Sequence, residues 1–380
     1  MSYDIVIIGA GVMGAAAACE VAREGVTVAL IDQATLPNPR AASIDHSKVF
    51  RFAYADPLYA RMAVDALKLW RTLEADTGMP LLTQTGLLMT GHTEPSIEAE
   101  TLEVLQSLGL EVERLTGDDA ARRFPQFNGD AFPYAVFDPS GAILHAERIV
   151  NALIFLARRR GVEVMESDRV TSIDRGQKST VLITTASGRA IECGRAMVAS
   201  GPWTLKLLPD LADVLTTTRQ EVIYFEPRPG TMAPSSRFDV GSFPMFIDLD
   251  SGYYGFPVHH LGAMKIANHK KGEQVDPDLR NDAVDGYSIG DCRAFFAQFI
   301  PELTSARRIE TNVCVYNNTP DDDFIIDWHA GLENVLLVTG FSGHGFKFGS
   351  LVGRISADLL ITRRTSWEIK RFGLGRFGLS

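Results

Sequence analysis

Cysteine is scarce in this chain. Only Cys19, Cys193, Cys292 and Cys314 occur among 380 residues. They show no metal-type pairing and no dense framework, which excludes a disulfide-stapled fold and fits a reducing compartment. Long apolar runs are absent too: none approaches the roughly 20 residues that span a bilayer. The opening "MSYDIVIIGAG" has no basic leader or cleavage site, so it does not read as a signal peptide. The closing Gly-Leu-Ser is not the Ser-Lys-Leu peroxisomal address. The expected location is the cytoplasm, with no membrane partner. Positive charge is in deficit, with 37 Lys and Arg against 47 Asp and Glu, and the basic residues are scattered. That argues against nucleic acid as a partner. The densest basic run, Arg158-Arg159-Arg160, ends a helical segment, where cations suit the dipole. No internal repeat, low-complexity segment or disordered linker is seen. What remains, 46% hydrophobic and 22% charged residues, is an ordinary globular composition. The length allows two domains or one large one.

The N-terminus carries the first motif. "YDIVII" is an apolar buried strand, "GAGVMG" a glycine turn, "AAAACEVAREG" a helix and "VTVALID" a second strand. Gly9, Gly11 and Gly14 make the G-x-G-x-x-G pattern, and Asp32 ends the second strand, 18 positions past Gly14. Strand, helix, strand and acid in that order point to a dinucleotide site, with the acid on ribose hydroxyls. Cys19, on that helix, reads as a small core residue.

Further along, residues 57–75 and 96–125 have helical spacing, as does "HAERIVNALIFLARRRG". "QTGLLMTG", "VEVMES" and "RVTSID" read as strands. "STVLITTASGRAIEC" reads as a hairpin turning at Ser187-Gly188. "AMVASGPW" is a strand that runs into a glycine turn at Gly201, a second approach to the cofactor. Residues 219–270 hold the short strands "EVIYFEP", "FPMFIDL", "GYYGFPV" and "AMKIANH", a β-rich layer apart from the first motif. Residues 290–299 are helical and "RIETNVCVYNN" is a strand. "DFIID", "NVLLVTG" and a closing helix return to the first domain. The expected fold is therefore α/β: a Rossmann-type domain (1–83, 145–218 and 317–380) interleaved with a β-rich substrate domain (84–144 and 219–316).

"TGFSGHGFKFG", at 339–349, reads as a tight strand-to-helix turn. Its glycines allow close backbone approach to a ligand, and a helix start aims N–H groups at it. With Lys347 it suits a flavin better than a nicotinamide, because a reduced flavin carries negative charge near N1 and the C2 oxygen. Strand alternation adds two faces. Asn312, Cys314 and Tyr316 share one; it either lines a site or buries a small cysteine beside an amphipathic tyrosine. Lys265, Ala267 and His269 share another, facing either a polar cavity or solvent.

"CVYNNTPDDDFIIDWH" followed by "GFSGHGFKFG" resembles the C-terminal signature of the monomeric sarcosine oxidase family, which includes N-methyltryptophan and pipecolate oxidases within the D-amino-acid-oxidase-like flavoproteins. The similarity runs the length of the chain, through "VIIGAGVMG" and "YYGFP". It implies FAD bound covalently through Cys314. It implies that Arg51, in "KVFRFAY", and Lys347 hold a substrate carboxylate, and that Lys265 activates dioxygen. It places His269 near the substrate amine and has Tyr316, His344 and Tyr254 line the pocket. Gly343, Gly345, Val170, Gly201 and Lys48 join the cofactor-binding set. One position departs from the pattern. Where sarcosine oxidases have a second, flavin-contacting arginine, this chain has Lys48, and "SIDHSKV" is closer to saccharopine and Amadori-compound oxidases. Read from residues alone, Arg51 also suits a surface ion pair and Lys48 a free surface lysine.

The expected activity is FAD-dependent oxidation of an N-substituted α-amino acid such as sarcosine, pipecolate or iminodiacetate. The product is an imine that hydrolyses, and O2 leaves as hydrogen peroxide. The expected state is a monomer without a metal. The rivals are a dehydrogenase with another electron acceptor and a flavin-holding subunit of a hetero-oligomer.

Overall fold

The computed structural model describes residues 2–227 and 235–379. Its first sheet has eight strands. Ser2–Ile8 lies at the centre, parallel to Val28–Ile31 on one side and to Ala190–Val198 on the other. Ile5, Val6, Ile7 and Ile8 are all buried. A continuous apolar run of this kind belongs in a parallel strand covered on both faces. Val335–Thr339 extends the parallel set by pairing with Ala196–Val198, so the end of the chain returns beside its beginning.

The covering helices are held very close. In Val12–Val21, every residue but Glu20 is buried. Gly14 allows the helix to sit on the first strand: a Cβ there would lie 1.8 Å from the Gly9 carbonyl oxygen. This is the close helix–strand packing that the third glycine of the motif serves. The closing helix, Gly349–Thr362, packs against the same helix, and a Cβ at Gly353 would lie 2.6 Å from the Ala16 methyl.

The second sheet also has eight strands, ordered in space from Arg307–Asn318 through Thr216–Glu226, Met264–Asn268, Tyr253–Gly255, Met245–Asp248, Leu87–Gly91 and Tyr134–Asp138 to Glu113–Thr116. One face rests on the helix Gly286–Phe299, through a cluster that includes Phe225, Phe246, Phe295, Phe296 and Phe299. The opposite face carries Lys265, Ala267, Cys314 and Tyr316 toward the first sheet. A small third sheet, Lys48–Phe50, Ala142–Leu144 and Leu82–Gln84, joins the two and places Lys48 and Arg51. Among the described residues, no helix is long and apolar enough to cross a membrane.

One expectation on local structure is corrected. Residues 96–125 are not helical throughout. The helix Ile97–Ser107 starts on the Ser96 hydroxyl, which accepts from the Ala99 N–H at 3.1 Å, and it gives way at Gly109, with φ +67°. Glu113–Thr116 then joins the second sheet before Thr116 caps a new helix, Gly117–Arg123. Residues of the third sheet, together with Tyr134–Asp138, escaped the sequence reading. Three- to five-residue strands are too short to show a period of two, and Tyr134–Asp138 is buried on both faces.

Candidate active site

Two clefts adjoin, the first between the two sheets and the second along the edge of the first sheet. They share Gly11, Ala42, Ser43, Ala199, Gly201 and Pro202 as common lining. Through that shared lining they make one elongated slot.

The second cleft is the nucleotide-like end. Gly9, Gly11, Asp32, Val170 and Gly201 line it, whereas Gly14 does not, being taken up by helix packing. The helix Val12–Val21 opens toward the slot without an acidic residue in its first turn. Its N-terminal N–H groups and dipole therefore favour an anion. Asp32 is buried, which raises its carboxyl, while hydrogen bonds to the Ala10 and Ala34 N–H groups and the Asn38 amide oppose that rise. The residues present fit a pyrophosphate and a ribose.

The first cleft gathers the remaining expected residues: Lys48, Arg51, Tyr254, Lys265, His269, Cys314, Tyr316, Gly343, His344, Gly345 and Lys347. Strand pairing explains the meeting. Thr216–Glu226 lies between its two neighbours, with Gln220 opposite Cys314 on one side and Tyr224 opposite Lys265 on the other. The C-terminal turn closes the cleft from the first sheet. The Asn317 side chain holds that turn by accepting from Thr339 Oγ1 at 2.6 Å and from Gly340 N at 2.9 Å.

The turn differs from expectation in one respect. The α-helix begins at Gly349, after a 3-10 turn at Phe346–Phe348, and neither Phe348 nor Gly349 is among the residues lining the cleft. Gly345, Phe346 and Lys347 line the cleft instead. Gly343, at φ +79°, presses against the Tyr316 ring, and a Cβ there would lie 2.3 Å from Cε2. Only glycine meets both demands.

No carboxylate is among the residues lining the first cleft. Four cations are. Two of them share Asp45, just behind the wall. Lys265 Nζ lies 2.5 Å from Asp45 Oδ2 and donates to the Ser47 carbonyl at 2.8 Å; Lys48 Nζ lies 3.8 Å from the same carboxylate. Tyr224 donates to Asp45 Oδ1 at 2.6 Å. Burial opposes ionisation of Asp45, yet Lys265 and Lys48 outweigh it and hold the carboxyl below its ordinary range. Lys265 stays below the ordinary lysine value because burial prevails over its partner. Lys48 lies above it: burial acts downward, but Cys314 and Asp45 outweigh it. Lys48 Nζ is also 3.7 Å from Cys314 Sγ.

Arg51 and Lys347 have no carboxylate partner among the described ion pairs. The Arg51 guanidinium stacks 4.2 Å from the Tyr54 ring centroid. Lys347 Nζ donates to the Tyr54 hydroxyl at 3.0 Å and to the His344 carbonyl at 2.7 Å. Burial, then Arg51, pushes the Lys347 ammonium well below its ordinary value. His269 is pushed down to about 4 by burial, then by Arg51 and Lys347, so it is neutral at neutral pH. His344 is driven well down by burial and Lys347. Its Nε2 donates to the Asp322 carbonyl at 3.0 Å, leaving Nδ1 to accept from Tyr54 at 3.2 Å. Tyr254 and Tyr316 hydrogen-bond each other, and burial lifts both phenols, Tyr254 to about 12.

Asp45 and Tyr54 were missed in the sequence. Both stand inside quoted stretches, "SIDHSKV" and "KVFRFAY". Only contact with residues some 200 to 300 positions away gives them a role.

A family model described as "FAD dependent oxidoreductase" matches residues 4–359. The monomeric sarcosine oxidase of Bacillus sp. (strain B-0618) is 34% identical over 384 residues, 98% of this chain and 96% of that protein. The N-methyl-L-tryptophan oxidase of Salmonella arizonae is 29% identical, over 99% of this chain and 100% of that protein. Among solved structures, the L-proline dehydrogenase of P. horikoshii superimposes with a TM-score of 0.85, covering 99% of this chain and 98% of that one, at 20% identity. That last likeness concerns the fold alone.

Proposed function

This chain belongs to the family of FAD-dependent oxidoreductases, and on that premise we propose that it oxidises a C–N bond of an N-substituted α-amino acid, such as sarcosine, pipecolate or iminodiacetate, in the first cleft. One observation carries the reading. Arg51 and Lys347 face a common space with no carboxylate partner among the described ion pairs, and burial, then Arg51, lowers the Lys347 ammonium's value. A substrate carboxylate supplies what that space lacks, and a guanidinium fork binds it in two places.

Bound FAD would supply the two-electron acceptor for the substrate C–H bond. Gly9, Gly11, Asp32, Val170 and Gly201 would hold its nucleotide end, and Gly343, Gly345, Lys48 and Lys347 its ring end. Cys314 Sγ is the proposed point of covalent attachment, supported by its place in the cleft and by Lys48 at 3.7 Å. Neutral His269 can accept a hydrogen bond or proton from the substrate amine, biasing it to the unprotonated form that oxidation needs. Tyr254, Tyr316 and His344 wall the substrate. Lys265 places a fixed positive charge for reduction of O2 to hydrogen peroxide. The imine product hydrolyses in water.

A second reading, transfer of electrons to an acceptor other than oxygen, is favoured by Asp45, which already neutralises Lys265 at 2.5 Å. An oxygen-uptake and peroxide screen of N-substituted amino acids separates the two readings. Turnover with peroxide supports the oxidase; turnover only with an artificial acceptor supports the dehydrogenase. No turnover of any secondary amine under either condition ends the proposal. Acid precipitation tests the covalent link: pigment stays with the natural chain and leaves a Cys314→Ala variant. The proposal keeps the two-domain division, 1–83, 145–218 and 317–380 for the cofactor and 84–144 and 219–316 for the substrate. It includes a monomer in a reducing cytoplasm, a setting in which Cys19, Cys193 and Cys292, all free and buried, need no disulfide partner.

A further inference from the structure

Outside the active site, one cluster has a chemistry that the proposed reaction does not use. We propose that His46, His260 and Glu310 form a site for a late first-row divalent cation, Zn2+, Ni2+ or Cu2+, with water completing the shell. The three ligand atoms lie within 4.8 Å of one another and all three residues are half-buried. His46 Nε2 is 2.9 Å from Glu310 Oε1, and His260 Nε2 is 3.9 Å from Oε2. A tetrahedral ion bonded at about 2.0–2.2 Å keeps its ligand atoms roughly 3.4 Å apart, within the 4.8 Å over which one ligand atom from each residue is gathered. The His46 and His260 rings stack with centroids 3.4 Å apart.

The donor set selects the metal class. Two imidazoles and one carboxylate suit Zn2+, Cu2+ and Ni2+ far better than Ca2+ or Mg2+, which prefer all-oxygen shells. Among the described ion pairs, Glu310 meets only the two histidines and no lysine or arginine.

The ligands come from three separate segments, each with a fixed backbone. Glu310 stands on the long strand Arg307–Asn318, opposite Tyr224. The His46 N–H donates to Asp45 Oδ1 at 2.8 Å. His260 is held in a tight turn, where its carbonyl accepts from Ala263 N at 2.8 Å, past Leu261 and Gly262 at positive φ. A third cavity, lined by His46 and His260, gives solvent access. His145 and His259, which also line it, are not ligands. His259 uses Nδ1 on the Pro257 carbonyl at 2.7 Å and Nε2 on Ser47 at 2.9 Å, and His145 Nε2 meets Thr83 at 2.8 Å.

The test is a calorimetric titration of Zn2+ into the tag-free, flavin-loaded chain, with electron paramagnetic resonance of added Cu2+ alongside. Saturable 1:1 binding is expected, weakened more than about tenfold in His260→Ala and in Glu310→Gln and unchanged in His145→Ala. The Cu2+ spectrum should carry splitting from two imidazole nitrogens. Absence of saturable uptake by the natural chain overturns the proposal. So does a Cu2+ spectrum without two nitrogens, or equal affinity in properly folded His260→Ala and Glu310→Gln proteins.

Discussion

Replacing Asp45 with Asn tests the charge arrangement behind the active site. Asp45 is 4% exposed and serves Lys265 at 2.5 Å, Lys48 at 3.8 Å and the Tyr224 hydroxyl at 2.6 Å. Asparagine keeps the shape and an acceptor for Tyr224 but removes the charge. Breaking a buried pair by neutralising one partner costs about 3–5 kcal/mol, because the other charge is left uncompensated. Lys265 has an escape: it can lose its proton. Its folded value already lies below the ordinary one, and Asp45 is the influence that keeps it up. In the variant it falls further. A base with a depressed folded value binds fewer protons folded than unfolded between the two values, so stability rises with pH across that window. Without Asp45 the window widens downward. The variant should therefore melt well below the natural protein at about pH 6, and the gap should narrow toward about pH 9. Melting order, followed by circular dichroism and flavin fluorescence, is the appropriate readout, since a chain with two large sheets need not unfold in one step. Adding Lys265→Met should recover part of the loss, the remainder reflecting Lys48. A double variant that melts no higher than Asp45→Asn, or a gap that stays constant with pH, would refute the reasoning.

Binding of a small carboxylate inhibitor should raise the depressed Lys347 value by placing an anion beside it and Arg51; calorimetry in buffers of different ionisation enthalpy should show proton uptake that grows as pH rises toward the ordinary lysine range, and Lys347→Met abolishes that growth. Arg51→Gln should raise KM for the amino acid by roughly 30-fold or more, on the 2–5 kcal/mol scale of a truncated buried charge pair, with little pigment loss. His269, held at about 4, should produce no pH dependence of kcat/KM between about pH 6 and 8, and any limb it causes should appear only as pH falls toward its depressed value. Gly343→Ala should destabilise by about 1–3 kcal/mol and slow turnover, because the methyl meets the Tyr316 ring at a strained φ; a shifted flavin absorbance reports the displaced wall.

The legible parts of this protein are those whose physics is local. The run Ile5–Ile8, the glycine turn, the alanine-rich helix and Asp32 each announce a buried parallel strand and a phosphate-facing helix start within some thirty residues. Alternation likewise put Cys314 with Tyr316, and Lys265 with His269, on common faces; that both faces line the first cleft only the structure decides. Other features were decided only when distant segments met. That Lys265 faces Asp45, and that Lys347 and Arg51 flank Tyr54 with no carboxylate partner among the described ion pairs, depends on loops, and local sequence does not set where a loop's side chains end. The same holds for His46, His260 and Glu310, which three unrelated stretches bring together. Periodicity determines which face a residue takes; the energy of a charge depends on its neighbours in space, and those neighbours exist only once the two sheets have closed on each other.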